Sequence, residues 1–120
     1  VVLHGDLHHE NMLFDAQAGW IVIDPKGVIG KPCLEMGRYL LNYLPPSMPM
    51  EHREEMVRDR VATFSDKLSY SPELVADCGL VDAVLGNCWC FEEDELSPDW
   101  EQNIAQIRML DRMLGTEINI

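Results

Sequence analysis

Long apolar runs are missing from this sequence, the longest spanning only a few residues, whereas about 20 consecutive apolar residues are needed for a helix to cross a bilayer. No charged leader precedes an apolar core, and a soluble chain is the expectation. Basic residues are scarce. Nine Lys and Arg stand against 21 Asp and Glu, a formal charge of −12. A field of that sign repels nucleic acid and anionic membrane surfaces, and neither is expected as a partner. Cysteine is limited to Cys33, Cys78, Cys88 and Cys90, with no C-x-x-C pair, and a bridge between positions i and i+2 of one helix would be strained. Reduced thiols and a cytoplasmic location are the expectation. An initiator Met is also missing, and Val1, Val2 and Leu3 run straight into polar functional residues. That gives the expectation of a chain cut in its middle.

What is present suffices for one core, with 47% hydrophobic residues in 120. Val1 to Leu3, Met12 to Phe14 and Trp20 to Ile23 are short apolar or β-branched runs, and the Asp15 to Gly19 segment carries hairpin chemistry. They read as three strands around a polar loop. Pro25, Gly27, Gly30 and Pro32 then mark an eight-residue loop, and from Cys33 onward the periodicity turns helical.

Leu34, Gly37, Leu41 and Leu44 form a stripe ending at Pro45-Pro46, and Val57, Val61, Phe64 and Leu68 form another within a helix from about Met50 to Leu68. Ser71-Pro72 and Ser97-Pro98 each set a capping hydroxyl before a proline suited to the first helical position. The helices they open are expected to reach about Phe91 and Leu114, with Trp100, Ile104, Ile107, Leu110 and Leu114 lining the last and Gly115 capping it. The fold class is α+β, with catalytic and metal-binding loops over residues 1–32 and a helical subdomain over 33–120.

The chemistry gathers in His4-Gly5-Asp6-Leu7-His8-His9-Glu10-Asn11, where four residues separate Asp6 from Asn11, with Asp24 at the end of the third strand. This is the spacing of a kinase catalytic loop followed by its metal-binding aspartate. One carboxylate orients an attacking hydroxyl and accepts its proton. A neutral amide oxygen and a second carboxylate can hold Mg²⁺ against a triphosphate. Asp and Asn also close ordinary turns, but a turn does not require a third acid at this distance or so many polar residues between apolar strands. His8 and His9 are expected near phosphates or substrate, and His4 is expected to brace the loop.

His4-Gly-Asp-Leu-His-His-Glu-Asn11 followed by Ile23-Asp-Pro-Lys-Gly27 resembles the aminoglycoside and hydroxyurea phosphotransferases, particularly the streptomycin 6-kinase branch. Cys88-Trp89 with Glu92-Glu93 resembles the C-W-S-L-E-D segment of the same family. The resemblance implies a protein-kinase-like C-terminal lobe, ATP as phosphate donor, Asp6 as catalytic base, and Asn11 and Asp24 as magnesium ligands. It also implies that the N-terminal lobe, with its glycine-rich loop and nucleotide-pairing lysine, is absent here, so that the piece alone should be inactive and should expose apolar surface. One departure stands out: Gly30-Lys31-Pro32 occupies the place of the family's Gly-Asp-Pro, with Glu35 nearby.

The acidic run Glu92, Glu93, Asp94 and Glu95 beside Trp89 suits a cationic antibiotic as the small-molecule substrate, by charge attraction and aromatic contact. Trp100 reads as core. Two other classes remain on the sequence alone. Gly5-Asp6-Leu7-His8 also fits a metal-dependent phosphoesterase, which then needs further ligands that only His52 could begin to supply downstream. The other is a non-catalytic, kinase-derived remnant, against which the retention of Asp6, Asn11 and Asp24 argues.

Overall fold

A computed structural model of the chain describes residues 1–45, 47–92 and 100–115, with the side chains of Cys90, Phe91, Glu92 and Gln102 outside that description. Four short strands come first: β1 (Val2–Leu3), β2 (Met12–Asp15), β3 (Gly19–Val22) and β4 (Val28–Ile29). A 3₁₀ turn over Pro32–Leu34 leads into α1 (Glu35–Leu41), followed by α2 (Met50–Leu68), α3 (Pro72–Glu92) and α4 (Trp100–Leu114). The architecture is α+β, with small sheets at one end and four helices after them.

The strands make two separate antiparallel pairs rather than one group of three. β2 and β3 form the expected hairpin, in register from Met12 opposite Val22 to Asp15 opposite Gly19. Its turn is closed by the Asp15 carboxylate, which accepts the Gln17 and Ala18 N–H groups at 2.8 and 2.7 Å. Those two bonds favour the ionised carboxylate and lower its pKa. β1 pairs with β4, which lies inside the stretch read from sequence as an eight-residue loop. Two residues between glycines are too short for periodicity to mark them, and only the partner strand defines them.

α1 also begins later than the helical pattern suggested, because the 3₁₀ turn intervenes. Its buried face is Met36, Gly37 and Leu40, continued by Leu44, while Leu34 is half-exposed. α2 spans the predicted residues, burying Val57 and Val61. Its Arg60 reaches across to the carbonyls of Tyr39, Leu40 and Asn42 at 3.2, 2.7 and 2.6 Å, satisfying acceptors that the end of α1 leaves open. α3 starts at the predicted proline, where Ser71 Oγ accepts the Leu74 N–H at 3.2 Å. The expected opening of α4 at Ser97-Pro98 lies outside the described residues, and Gly115 ends that helix with a φ of +69°.

α3 is central, touching α1, α2 and α4. Leu40, Val57, Val75, Met109 and Leu110, drawn from all four helices, are fully buried, each contributing about 1.5–3 kcal/mol of transfer free energy. Trp100, read as core, is instead 42% exposed. It sits in the first turn of α4, ahead of the packed Ile107, Met109 and Leu110. Among the described residues no helix is long and apolar enough to cross a membrane.

Candidate active site

The loop from His4 to Asn11 connects β1 to β2, and backbone demands shape it first. Gly5 has a φ of +78°, and a Cβ there would lie 2.6 Å from Val28 Cγ2, so both the conformation and the space require glycine. Its N–H donates to Glu35 Oε1 at 2.9 Å, tying the loop to the first turn of α1. His4 is the brace. Its Nδ1 accepts the Asp6 N–H at 3.3 Å, which leaves Nε2 to donate to the Ile23 carbonyl at 2.8 Å. The His4 carbonyl also accepts the N–H groups of Lys26 and Gly27 at 2.7 and 3.2 Å. One residue thus joins the loop carrying Asp6 to the segment carrying Asp24.

Asn11 is buried at the end of a 3₁₀ turn over His9–Asn11. Its Nδ2 donates to the Asp6 carbonyl at 2.9 Å and lies 3.2 Å from His8 Nε2. The amide nitrogen is therefore committed to the loop, and Oδ1 is the end that can serve a cation. The Ile23 N–H donates to the Asn11 carbonyl at 3.0 Å, carrying the hairpin ladder one step beyond Met12 and Val22. Asn11 and Asp24 accordingly leave the hairpin at the same end. Asp24 is exposed and has a φ of 57°, an uncommon left-handed conformation for a non-glycine residue. An amide oxygen and a carboxylate are hard donors of the kind Mg²⁺ takes, with positions left for water and phosphate oxygens.

The Asp6 side chain is only 18% exposed and has three cationic or ionisable neighbours. Arg38 Nε lies 3.4 Å from Oδ1, His8 Nε2 3.7 Å from Oδ1 and Lys26 Nζ 3.8 Å from Oδ2. The structure thus brings His8 to Asp6. His9 turns toward α1, stacking on Tyr39 with ring centroids 4.1 Å apart and meeting Tyr43 edge-on at 4.9 Å. Burial, then the charge of Arg60, then His8, lower its pKa and favour neutral imidazole. Glu93 and the side chain of Glu92 lie outside the described residues.

Arg38 and Asp82 were not singled out from the sequence. Arg38 reads as one charge between apolar positions of α1, and Asp82 lies 76 residues from Asp6 in chain order. Lys26 had a signal, as the third residue of Asp24-Pro-Lys-Gly27. Beside Arg38 and Asp82 opens a cleft of about 530 Å³, also lined by Asn87, Trp89, Asn103 and Gln106. No group of three or more His, Cys, Asp or Glu side chains among the described residues is placed to hold a metal ion.

A histidine thus braces the Asp6 loop against the segment that ends the hairpin at Asp24. Residues 1–94 match the family model described as aminoglycoside/hydroxyurea antibiotic resistance kinase, and the chain belongs to that family. It is also 32% identical over 73 residues to a streptomycin 3''-kinase of Klebsiella pneumoniae. That match covers 59% of this chain and 27% of the relative, so the chain corresponds to a minor part of that protein's length. No solved structure matches it.

Proposed function

We propose that this chain carries the phosphoryl-transfer centre of an ATP-dependent kinase acting on a hydroxyl of a small molecule, an aminoglycoside such as streptomycin or a hydroxyurea-like compound. The fold is read as the C-terminal lobe of a protein-kinase-like enzyme. The observation that carries the proposal is the His4 brace, which joins the Asp6 loop to the Asp24 segment through contacts at 2.7 to 3.3 Å.

In this reading Asp6 orients the acceptor hydroxyl and takes its proton as the new phosphate ester forms. Asn11 Oδ1 and the Asp24 carboxylate would hold Mg²⁺, which when bound offsets charge on the transferred phosphoryl group. His4 keeps the two halves of the site in register, and His8, held beside Asp6 and Asn11, fills the loop interior. Lys26, with its side chain 60% exposed, stands on the Oδ2 side of Asp6, where a phosphate oxygen can pair with it. The cleft beside Arg38 and Trp89 takes the acceptor, and Glu92 and Glu93 contribute negative charge for a cationic one. His9 supports the loop from below through Tyr39.

The test is phosphate transfer from ATP by the full-length protein to a panel of aminoglycosides and hydroxyurea, with and without Mg²⁺. A phosphorylated product that requires both nucleotide and metal supports the reading. No transfer to any hydroxyl acceptor would favour the non-catalytic remnant, and nucleotide-independent release of phosphate would favour a hydrolase.

A further inference from the structure

Arg38 stands between two largely covered carboxylates. Its Nε lies 3.4 Å from Asp6 Oδ1 and its Nη1 3.9 Å from Asp82 Oδ2, with the two acid side chains 18% and 30% exposed. These are ion-pair rather than hydrogen-bond separations. The arm has a defined seat. Gly37, the residue before it, packs so tightly on α3 that an added Cβ would lie 2.5 Å from the Cys78 carbonyl oxygen. At Gly86, one turn along α3 from Asp82, an added Cβ would lie 3.9 Å from Arg38 Nη1. Close contact between α1 and α3 thus sets where the guanidinium can reach. Arg38 and Asp82 both line the 530 Å³ cleft, and Arg38 also reaches Asp6, so one side chain touches both the proposed acceptor space and the proposed base.

Resting on the role proposed for Asp6, we infer that Arg38 is a positioning residue for the transfer reaction, held by Asp82 so that it keeps the Asp6 carboxylate turned toward the α1–α3 cleft. Lys26 draws on Oδ2 from the other side at 3.8 Å. Removing Arg38 takes the guanidinium from the Oδ1 side and leaves the His8 ring there, at 3.7 Å, against the Lys26 ammonium, and the carboxylate swings away from the cleft. With both cations in place at ion-pair distance, the oxygens keep lone pairs to accept a hydroxyl proton. Asp82 limits how closely Arg38 approaches Asp6, because a single guanidinium serves both acids. Burial pushes the Asp82 pKa up, Arg38 pulls it down and Asp6 pushes it up again, in keeping with three charges within range of one another.

The experiment is a pair of double-mutant cycles in the full-length protein, reading kcat and the KM for ATP, with thermal melting of every variant. Arg38→Gln is expected to lower kcat about 10- to 100-fold, the scale of a misplaced reacting group, while the KM for ATP stays within about two-fold. Arg38→Lys should recover part of the loss. On an Asp6→Asn background, Arg38→Gln should change kcat by less than about two-fold, because its effect passes through the missing carboxylate. The second cycle pairs Arg38→Gln with Asp82→Asn and does not depend on the residual rate of Asp6→Asn. It should also be non-additive. A parental kcat in folded Arg38→Gln, or equal factors with and without Asp6 and Asp82, would overturn the inference and leave the base assignment standing. A parental rate in Asp6→Asn would overturn the base assignment, and this inference with it.

Discussion

Asp82 shows how a single residue can be held at the expense of stability. Burial raises its pKa above the ordinary 3.8, so the folded chain favours the protonated acid more than the unfolded chain does. By linkage, the stability associated with this group is fully present below the unfolded value and falls as pH rises through the folded one. Asp82→Asn removes that penalty. The variant is expected to melt above the parent at neutral pH, with the gap closing as pH falls through the raised folded value and gone below about 3.8, which melting curves across pH would show. A variant that melts below the parent at neutral pH would mean that the Arg38 contact outweighs desolvation. Such a residue is invisible in sequence because nothing near Asp82 marks it. Asp6, Asn11 and Asp24, by contrast, stood out through spacing and residue type before any fold was known. His4, expected to brace the loop rather than to bind a metal, does so through Asp6 and Ile23.

At the level of elements, α2 was legible from the spacing of Val57, Val61, Phe64 and Leu68, and the start of α3 from the capping hydroxyl and proline of Ser71-Pro72. β4 and the true face of α1 were not. A two-residue strand has no period, and a seven-residue helix gives too few turns to tell Leu34 and Leu41 from Met36 and Leu40 as the packed positions. Gly37 settles that face, because only glycine lets α1 approach α3 so closely. Gly37→Ala should therefore destabilise the fold by about 1–3 kcal/mol, the range for overpacking, since its Cβ would meet the Cys78 backbone at 2.5 Å. Gly86→Ala should do the opposite. Its Cβ meets only Arg38 Nη1 at 3.9 Å, and replacing an interior helical glycine gains about 0.8–1 kcal/mol of propensity. Denaturant melts of the two variants check both signs, and equal signs would contradict the packing described for α1 on α3.

On the scale of the whole molecule, the helices are well packed while the strand end is not. Val1, Val2, Phe14, Trp20 and Ile29 are 72, 75, 66, 74 and 87% exposed, with Phe14 and Trp20 meeting edge-on across the hairpin at 5.4 Å. The 120-residue chain by itself is expected to bind an apolar dye and to self-associate; a monomer stable to dilution that binds no dye would count against this. The central claim is that three residues at this end divide the work of phosphoryl transfer, and the most direct measurement compares Asp6→Ala with Asp24→Ala in the full-length protein. Mg²⁺-ATP affinity is read by calorimetry and phosphate transfer by product formation. Asp6→Ala should keep nucleotide affinity and lose about 10²- to 10⁴-fold in turnover, the range for a general base. Asp24→Ala should lose Mg²⁺-ATP affinity as well as turnover, with Asn11→Ala a milder form of the same defect. Parental transfer by Asp6→Ala, or parental Mg²⁺-ATP affinity and turnover in Asp24→Ala, would contradict the account.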